Sequence, residues 1–190
     1  MAWFRRAAPS EPLAITMTGV KLADRLLVLG LRDPALVAAL AAKSGLTGRA
    51  CAIDADASLA ARARDAIERE GALVEVAPAP WNALPYEPGS FDLVVVRDVL
   101  AAMAHDERGR CLIEVHRVLR EGGRVVLIDD LPRGGIGGLL GGRKIDPSYA
   151  GRGGVAALSE CGFVAARVLA ERDGMRFIEG AKRAPGLTPG

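Results

Sequence analysis

Short apolar runs alternate with amphipathic stretches along most of the chain. From Arg25 to Gly30 the residues after the first are apolar and the run closes on Gly, the pattern of a parallel strand buried on both faces. Asp33 and Pro34 then open a helix, with Asp as N-cap and Pro at the first helical position. Its apolar face is Leu36, Val37 and Leu40, and Gly45 ends it. The pattern predicts a second strand over Ala50–Asp54 and a helix over Ser58–Glu70 carrying Leu59, Ala63, Ala66 and Ile67 on one side. Ala72–Ala77 reads as a third strand and Phe91–Val96 as a fourth. A helix follows over Arg108–Arg120, with Leu112, Val115 and Leu119 at helical spacing, and Gly122-Gly123 turns the chain into a strand over Arg124–Asp129. After a Gly-rich loop, Pro132–Gly142, come a helix near Gly153–Cys161 and two strands, Val164–Ala170 and Met175–Gly180. Gly174 between them predicts a hairpin.

Repeated strand–helix–strand units imply right-handed crossovers and a doubly wound, mostly parallel α/β sheet with helices on both faces. The reading is seven strands ending in an antiparallel hairpin. Residues 1–17 read as an N-terminal extension, 18–183 as one domain, and 184–190 as a Pro/Gly-rich tail expected to be disordered.

Composition narrows the function classes. Half of the 190 residues are apolar, enough for a full core. The 25 Lys and Arg against 23 Asp and Glu leave a net charge of +2, with no basic run long enough for a nucleic-acid footprint. The start lacks the apolar segment of a secretory signal, and no stretch is apolar for long enough to span a membrane. Trp3, Phe4, Arg5 and Arg6 are candidates for touching a membrane surface. Cys51, Cys111 and Cys161 sit inside apolar patterns and read as reduced core thiols, and His105 and His116 are too scattered to hold a metal. These features predict a cytoplasmic protein without a metal; they leave its oligomeric state open.

An open sheet of this kind binds ligands beyond the carboxyl ends of its strands, near the point where strand order reverses. The candidate site residues are therefore those that follow each strand: Gly30, Leu31 and Arg32; Asp54 and Ala55; Trp81 and Asn82; Arg97 and Asp98.

The run LPYEPGSFDLVVVRDVL from Leu84, followed by a short helix and EVHRVLREGGRVVLI ending at Ile128, resembles the class I S-adenosylmethionine-dependent methyltransferases of small molecules, the type 11-like group related to the quinone-biosynthesis enzymes. The likeness spans about residues 18 to 183 and implies a Rossmann-like fold, S-adenosylmethionine as cofactor and a small-molecule methyl acceptor. It also implies roles. Gly30 is the first glycine of the family's G-x-G-x-G loop; Arg32 and Pro34 stand at the other two, and Val28 stands where the family has an acid. Asp54 matches the carboxylate that accepts both ribose hydroxyls, bonds that contribute about 1.5–3 kcal/mol each. Pro80 stands at the family's adenine-binding acid, leaving Trp81 to stack on the purine and Asn82 to bond its edge. Arg97 lies where the family contacts the methionine end of the cofactor and suits a carboxylate; a structural pairing with Asp98 is the alternative. Asp92 reads as pairing at the bottom of the sheet.

No residue is assigned as the catalytic base. His105, Asp129, Asp130 and Tyr149 are within reach of the upper face, and Ala101-Ala102 stand where relatives carry His. The Gly-rich loop suits a lid, and ordinary loop chemistry predicts Gly there as well. Two functions follow: a methyltransferase, or a methyltransferase-like scaffold that binds another ligand or a partner, to which the departures at Val28, Arg32, Pro34 and Pro80 point. A nicotinamide-dependent dehydrogenase would need G-x-G-x-x-G after strand one, and Arg32 and Ala35 occupy two of those positions.

Overall fold

The computed structural model describes residues 12–131 and 145–184. In chain order the elements are α1 (Leu13–Thr18), β1 (Arg25–Leu29), α2 (Pro34–Ser44), β2 (Arg49–Asp54), α3 (Ala57–Arg69), β3 (Glu75–Pro78), β4 (Phe91–Arg97), α4 (His105–Val118), β5 (Leu119–Asp130), α5 (Gly153–Glu160), β6 (Val164–Arg172) and β7 (Met175–Ala181). Among the described residues the strands form one seven-stranded sheet in the order β3-β2-β1-β4-β5-β7-β6. The first five run parallel, and β7 pairs antiparallel with both β5 and β6. The expected α/β architecture and terminal hairpin are therefore present.

Alternation along each strand builds two apolar layers. Leu27, Leu29, Val94, Val96, Val125 and Leu127 pack with Cys111, Leu112 and Val115 of α4 and Leu158 of α5. Leu26, Val28, Leu93, Val95, Val126 and Ile128 pack on the other face with Ile15 of α1, Leu36 and Leu40 of α2, and Ala63 and Ile67 of α3. Burial of both faces explains why the central strands read as unbroken apolar runs.

The helix cap predicted at Asp33 is present. Asp33 accepts the Leu36 N–H at 3.1 Å and Pro34 is the first residue of α2. Asp56 caps α3 by accepting the N–H groups of Ser58 and Leu59 at 2.8 and 3.1 Å. At the bottom of the sheet Asp92 binds the backbone N–H of Arg25 at 2.8 Å, its Nε at 3.0 Å, and the Nε of Arg120. The Leu84–Tyr86 segment is latched to α4: Glu114 accepts the Leu84 N–H at 2.8 Å, and Arg117 donates to the carbonyls of Tyr86 and Leu84 at 2.7 and 3.0 Å.

Several boundaries differ from expectation: α4 begins at His105 instead of Arg108, and β5 begins at Leu119, running through the Gly122-Gly123 pair read as a turn. The helix predicted to reach Arg120 ends at Val118, because Leu119 takes an extended backbone (φ −70°, ψ 137°) and pairs with Phe91. Strand β3 pairs only from Glu75, against Cys51, so Ala72–Val74 lead into it unpaired. Helix α1 lies within the stretch read as an N-terminal extension, and it buries Ile15 and Thr18. The Gly-rich loop and its reading as a lid, the aromatic-basic N-terminus and residues 185–190 of the tail lie outside the described residues.

No helix among the described residues is long and apolar enough to cross a membrane. Strand order reverses between β1 and β4: the chain leaves β1 toward β2 and β3, then returns on the other side of β1 to form β4 and β5. The crevice that such a reversal creates is the expected ligand position.

Candidate functional site

A recess of about 200 Å³ opens at this reversal, lined by Gly30, Arg32, Asp54, Ala55, Asp56, Trp81, Arg97, Asp98 and Val99. It brings together seven of the nine residues singled out from the sequence. Leu31 and Asn82 are the exceptions. Leu31 turns its side chain into the core, fully buried, and presents only its backbone to the site. Asn82 is exposed and lies off the lining. Asp98 and Val99 complete the wall, and strand-end position was the signal for Asp98.

Asp54 is the best-organised group in the recess. It ends β2, is 6% exposed, and accepts the N–H of Leu31 at 2.9 Å on one oxygen and that of Asp56 at 3.0 Å on the other. Each carboxylate oxygen offers two lone pairs, so one on each is available to a further donor. The neighbouring Asp56 is spent on the α3 cap, and Arg32 is exposed at the rim instead of filling the hollow.

Gly30 stands at φ +91°, and a Cβ there would lie 2.3 Å from the Arg97 carbonyl oxygen and 2.7 Å from Val99 Cγ2. Glycine is required for the close approach of the β1 loop to the end of β4. Arg97 is 12% exposed; its Nη2 donates to Asp130 at 2.8 Å and its Nη1 reaches the Ile128 carbonyl at 3.5 Å. Its pairing is thus with Asp130 across the strand ends. Its Nε is buried without a hydrogen-bond partner among the described residues. Trp81 is half-buried, with part of its surface on the core and part on the recess.

The candidate bases divide by position. His105 begins α4 with its side chain 65% exposed, 4.0 Å from Glu160, and stands away from the recess. Asp130 is taken by Arg97. Asp129 and Tyr149 are both buried and joined by a 2.7 Å hydrogen bond from the phenol. Burial pushes the Asp129 carboxyl up to about 6, with the charge of Asp98 adding to the rise and the Tyr149 hydroxyl opposing it. Burial and the Asp129 charge push the Tyr149 phenol far above its ordinary range. Beneath Tyr149 lies the guanidinium of Arg108, 4.6 Å from the ring centre, itself bound to the Met103 carbonyl at 2.8 Å.

A larger hollow of about 390 Å³ lies between α2, the start of β2 and the turn after α3. Alanines dominate its wall and Glu70 is its one charged residue, so it lacks the convergent polar groups of a ligand site. Size alone would favour it; the chemistry favours the recess at the strand reversal.

Comparison with known proteins gives the family and the fold. Residues 29–127, just over half of the chain, match the Methyltransferase domain family. The ubiquinone/menaquinone biosynthesis C-methyltransferase UbiE of Cupriavidus taiwanensis is 30% identical over 115 residues, covering 60% of this chain and 46% of the relative. The chain thus spans about half the length of the curated relatives it matches. Among solved structures, a SAM-dependent methyltransferase from Aquifex aeolicus superposes with a TM-score of 0.71 at 17% identity, covering 88% of this chain and 86% of that one. PigF with SAH gives a TM-score of 0.67 at 19% identity, covering 88% of this chain and 54% of that one.

Proposed function

The chain belongs to the class I S-adenosylmethionine-dependent methyltransferases, and from that membership we propose that it transfers a methyl group to a small molecule. S-adenosylmethionine, the cofactor of the family, supplies a sulfonium methyl that is already strongly electrophilic. The work of the protein is then positioning and exclusion of water.

One observation carries the reading beyond family membership. Asp54 is held by two backbone amides at the mouth of the strand reversal, with lone pairs left on both oxygens. That arrangement suits a pair of neighbouring hydroxyls such as those of a ribose. Trp81 offers an aromatic face at the same recess, and Arg97 a cation. The recess is smaller than the roughly 300–1,000 Å³ of small-molecule sites. It admits part of such a ligand as it stands.

The relatives that carry a quinone-biosynthesis name make an electron-rich aromatic compound the first acceptor class to assay. Buried thiols at Cys51 and Cys111 suit a reducing compartment, and we place the reaction in the cytoplasm.

Isothermal titration with S-adenosylmethionine and S-adenosylhomocysteine tests the proposal. Saturable heat with a micromolar dissociation constant is expected. Absence of heat at millimolar cofactor overturns it.

A further inference from the structure

We propose that two copies of this chain dock through the amino-terminal ends of β1, β2 and β3, about a two-fold axis that seats Leu46 and Leu73 of each copy against the hollow of the other. This surface lies at the end of the sheet opposite the recess, and the proposal is independent of the methyltransferase reading.

Exposed apolar side chains cluster here. Among the described residues five large ones are exposed, and three of them, Leu22, Leu46 and Leu73, are 75–88% exposed. Each stands two or three residues before the start of β1, β2 or β3, and these strands are neighbours in the order β3-β2-β1. Neighbouring strands lie about 5 Å apart, so the leucines form a short row across one end of the sheet. A single exposed leucine needs no explanation; a row of three marks a contact surface.

The row borders the hollow of about 390 Å³. Leu46 and Leu73 line it from the loops that follow α2 and α3, and alanines of α2 (Ala35, Ala39 and Ala42) line it between them. Leu22 packs against Gly45 of the same wall, where an added Cβ would lie 2.6 Å from Leu22 Cδ1. Projecting leucines beside an apolar hollow are the two halves of a self-complementary contact. A two-fold interface requires that complementarity, because it joins one patch to its own copy.

The charges around the row are arranged in the same sense. Lys43 and Arg49 flank Leu46, and Glu70 and Glu75 flank Leu73, with Arg49 and Glu75 paired within the chain at 2.7 Å. A patch of one sign would repel its own copy. Here a two-fold axis through the hollow turns the basic side of each copy toward the acidic side of the other, leaving an apolar centre within a polar rim. The same two acids oppose an anionic lipid surface, the other occupant that exposed leucines would suit.

Sedimentation equilibrium of the full chain over about 1–100 µM tests the proposal. The mass is expected to rise with concentration toward twice the 19.9 kDa of one chain. Leu46→Glu and Leu73→Glu each weaken the dimer at least about tenfold, because each removes a leucine from the contact twice, once per copy. Both side chains are exposed within the chain, so neither replacement disturbs the fold of a single copy. Ile113→Glu, at an exposed position of α4 on the other face of the sheet, leaves the dimer unchanged. Amide hydrogen exchange gives a second reading: residues 45–48 and 71–74 gain protection at the higher concentration. A monomer at about 100 µM, a dimer indifferent to both leucine variants, or one broken equally by Ile113→Glu overturns the proposal. Flotation of the chain with phosphatidylglycerol vesicles, abolished by Leu46→Glu, also overturns it and assigns the row to a lipid surface.

Discussion

The carboxylate of Asp54 accepts the backbone N–H of Leu31 at 2.9 Å, tying the tip of β2 to the loop that leaves β1. A group that would hold a ligand is thus also a brace of the site. Asp54→Ala strands the Leu31 and Asp56 amides. Leaving buried donors unpaired costs about 1–3 kcal/mol each, with the more exposed Asp56 amide at the low end. Urea unfolding of Asp54→Ala is expected to show a loss of about 2 kcal/mol together with loss of cofactor binding. A variant as stable as the parent would show that the brace is not made in solution.

Gly30→Ala tests the contact between the loops. The added Cβ meets the Arg97 carbonyl and Val99 at distances no real Cβ keeps, in a left-handed backbone at φ +91°. Strain at such a position costs about 1–3 kcal/mol before any displacement of β4. The unfolding free energy is expected to fall by at least that much, read as a lower denaturation midpoint at unchanged slope. An unshifted midpoint would mean that the two loops stand further apart.

Trp81 gives an optical readout, because the chain has only one other tryptophan, Trp3. In a Trp3→Phe background the remaining emission comes from Trp81, which lies half on the core and half on the recess. Saturating S-adenosylhomocysteine is expected to quench or shift it, following the same isotherm as the calorimetric titration. An emission spectrum blind to the ligand would remove Trp81 from the site.

Much of the fold was legible because the central strands carry their own evidence. The runs ending at Gly30, Asp54 and Val96 are apolar on both faces, and the caps Asp33 and Asp56 mark where helices begin. The end of α4 was not legible, since Leu119 keeps the helical spacing of Leu112 and Val115 while its backbone has already turned to pair with Phe91. Helix α1 has six residues, no acid in its first turn and no side-chain cap, so nothing local announces it. Position after a strand brings Gly30, Asp54 and Arg97 to one recess, because sheet ends converge. Leu31 and Asn82 also follow strands yet lie off the lining, Leu31 with its side chain packed in the core and Asn82 exposed. The pairing of Arg97 with Asp130 joins residues 33 apart in sequence and follows only from strand order.

Asp92 should make the protein acid-labile. Burial opposes its ionisation, but the hydrogen bonds from Arg25 and Arg120 outweigh that cost and hold its pKa at about 2. A depressed carboxylate stabilises the fold above its unfolded pKa, near 4, and that stability is lost as pH falls through about 2. Its two arginine partners are 42% and 48% exposed, so screening limits the contribution to about 1–2 kcal/mol. Asp92→Asn is expected to cost that amount at pH 7 and to flatten the stability profile between about pH 4 and 2. An unchanged profile would show that the bottom clamp does not act.

The Asp129–Tyr149 pair predicts the opposite pH behaviour. Burial lifts Asp129 from its ordinary 3.8 to about 6, with Asp98 raising it further while Tyr149, Arg176 and Arg97 pull it down. Because the folded state then binds the proton more tightly than the unfolded chain, this group adds stability as pH falls from about 6 toward 4 and imposes its full cost above 6. The Tyr149 hydroxyl donates to the carboxylate at 2.7 Å and so favours its ionised form. Tyr149→Phe removes a bond worth about 1.5–3 kcal/mol to a charged acceptor but only about 0.5–1.5 kcal/mol to a neutral one. The variant should therefore lose more stability at pH 8 than at pH 5, and the Asp129 carboxyl resonance should titrate above about 6. Equal losses at the two pH values would mean that Asp129 is already ionised at pH 5, and that its burial is relieved by water reaching it from the recess.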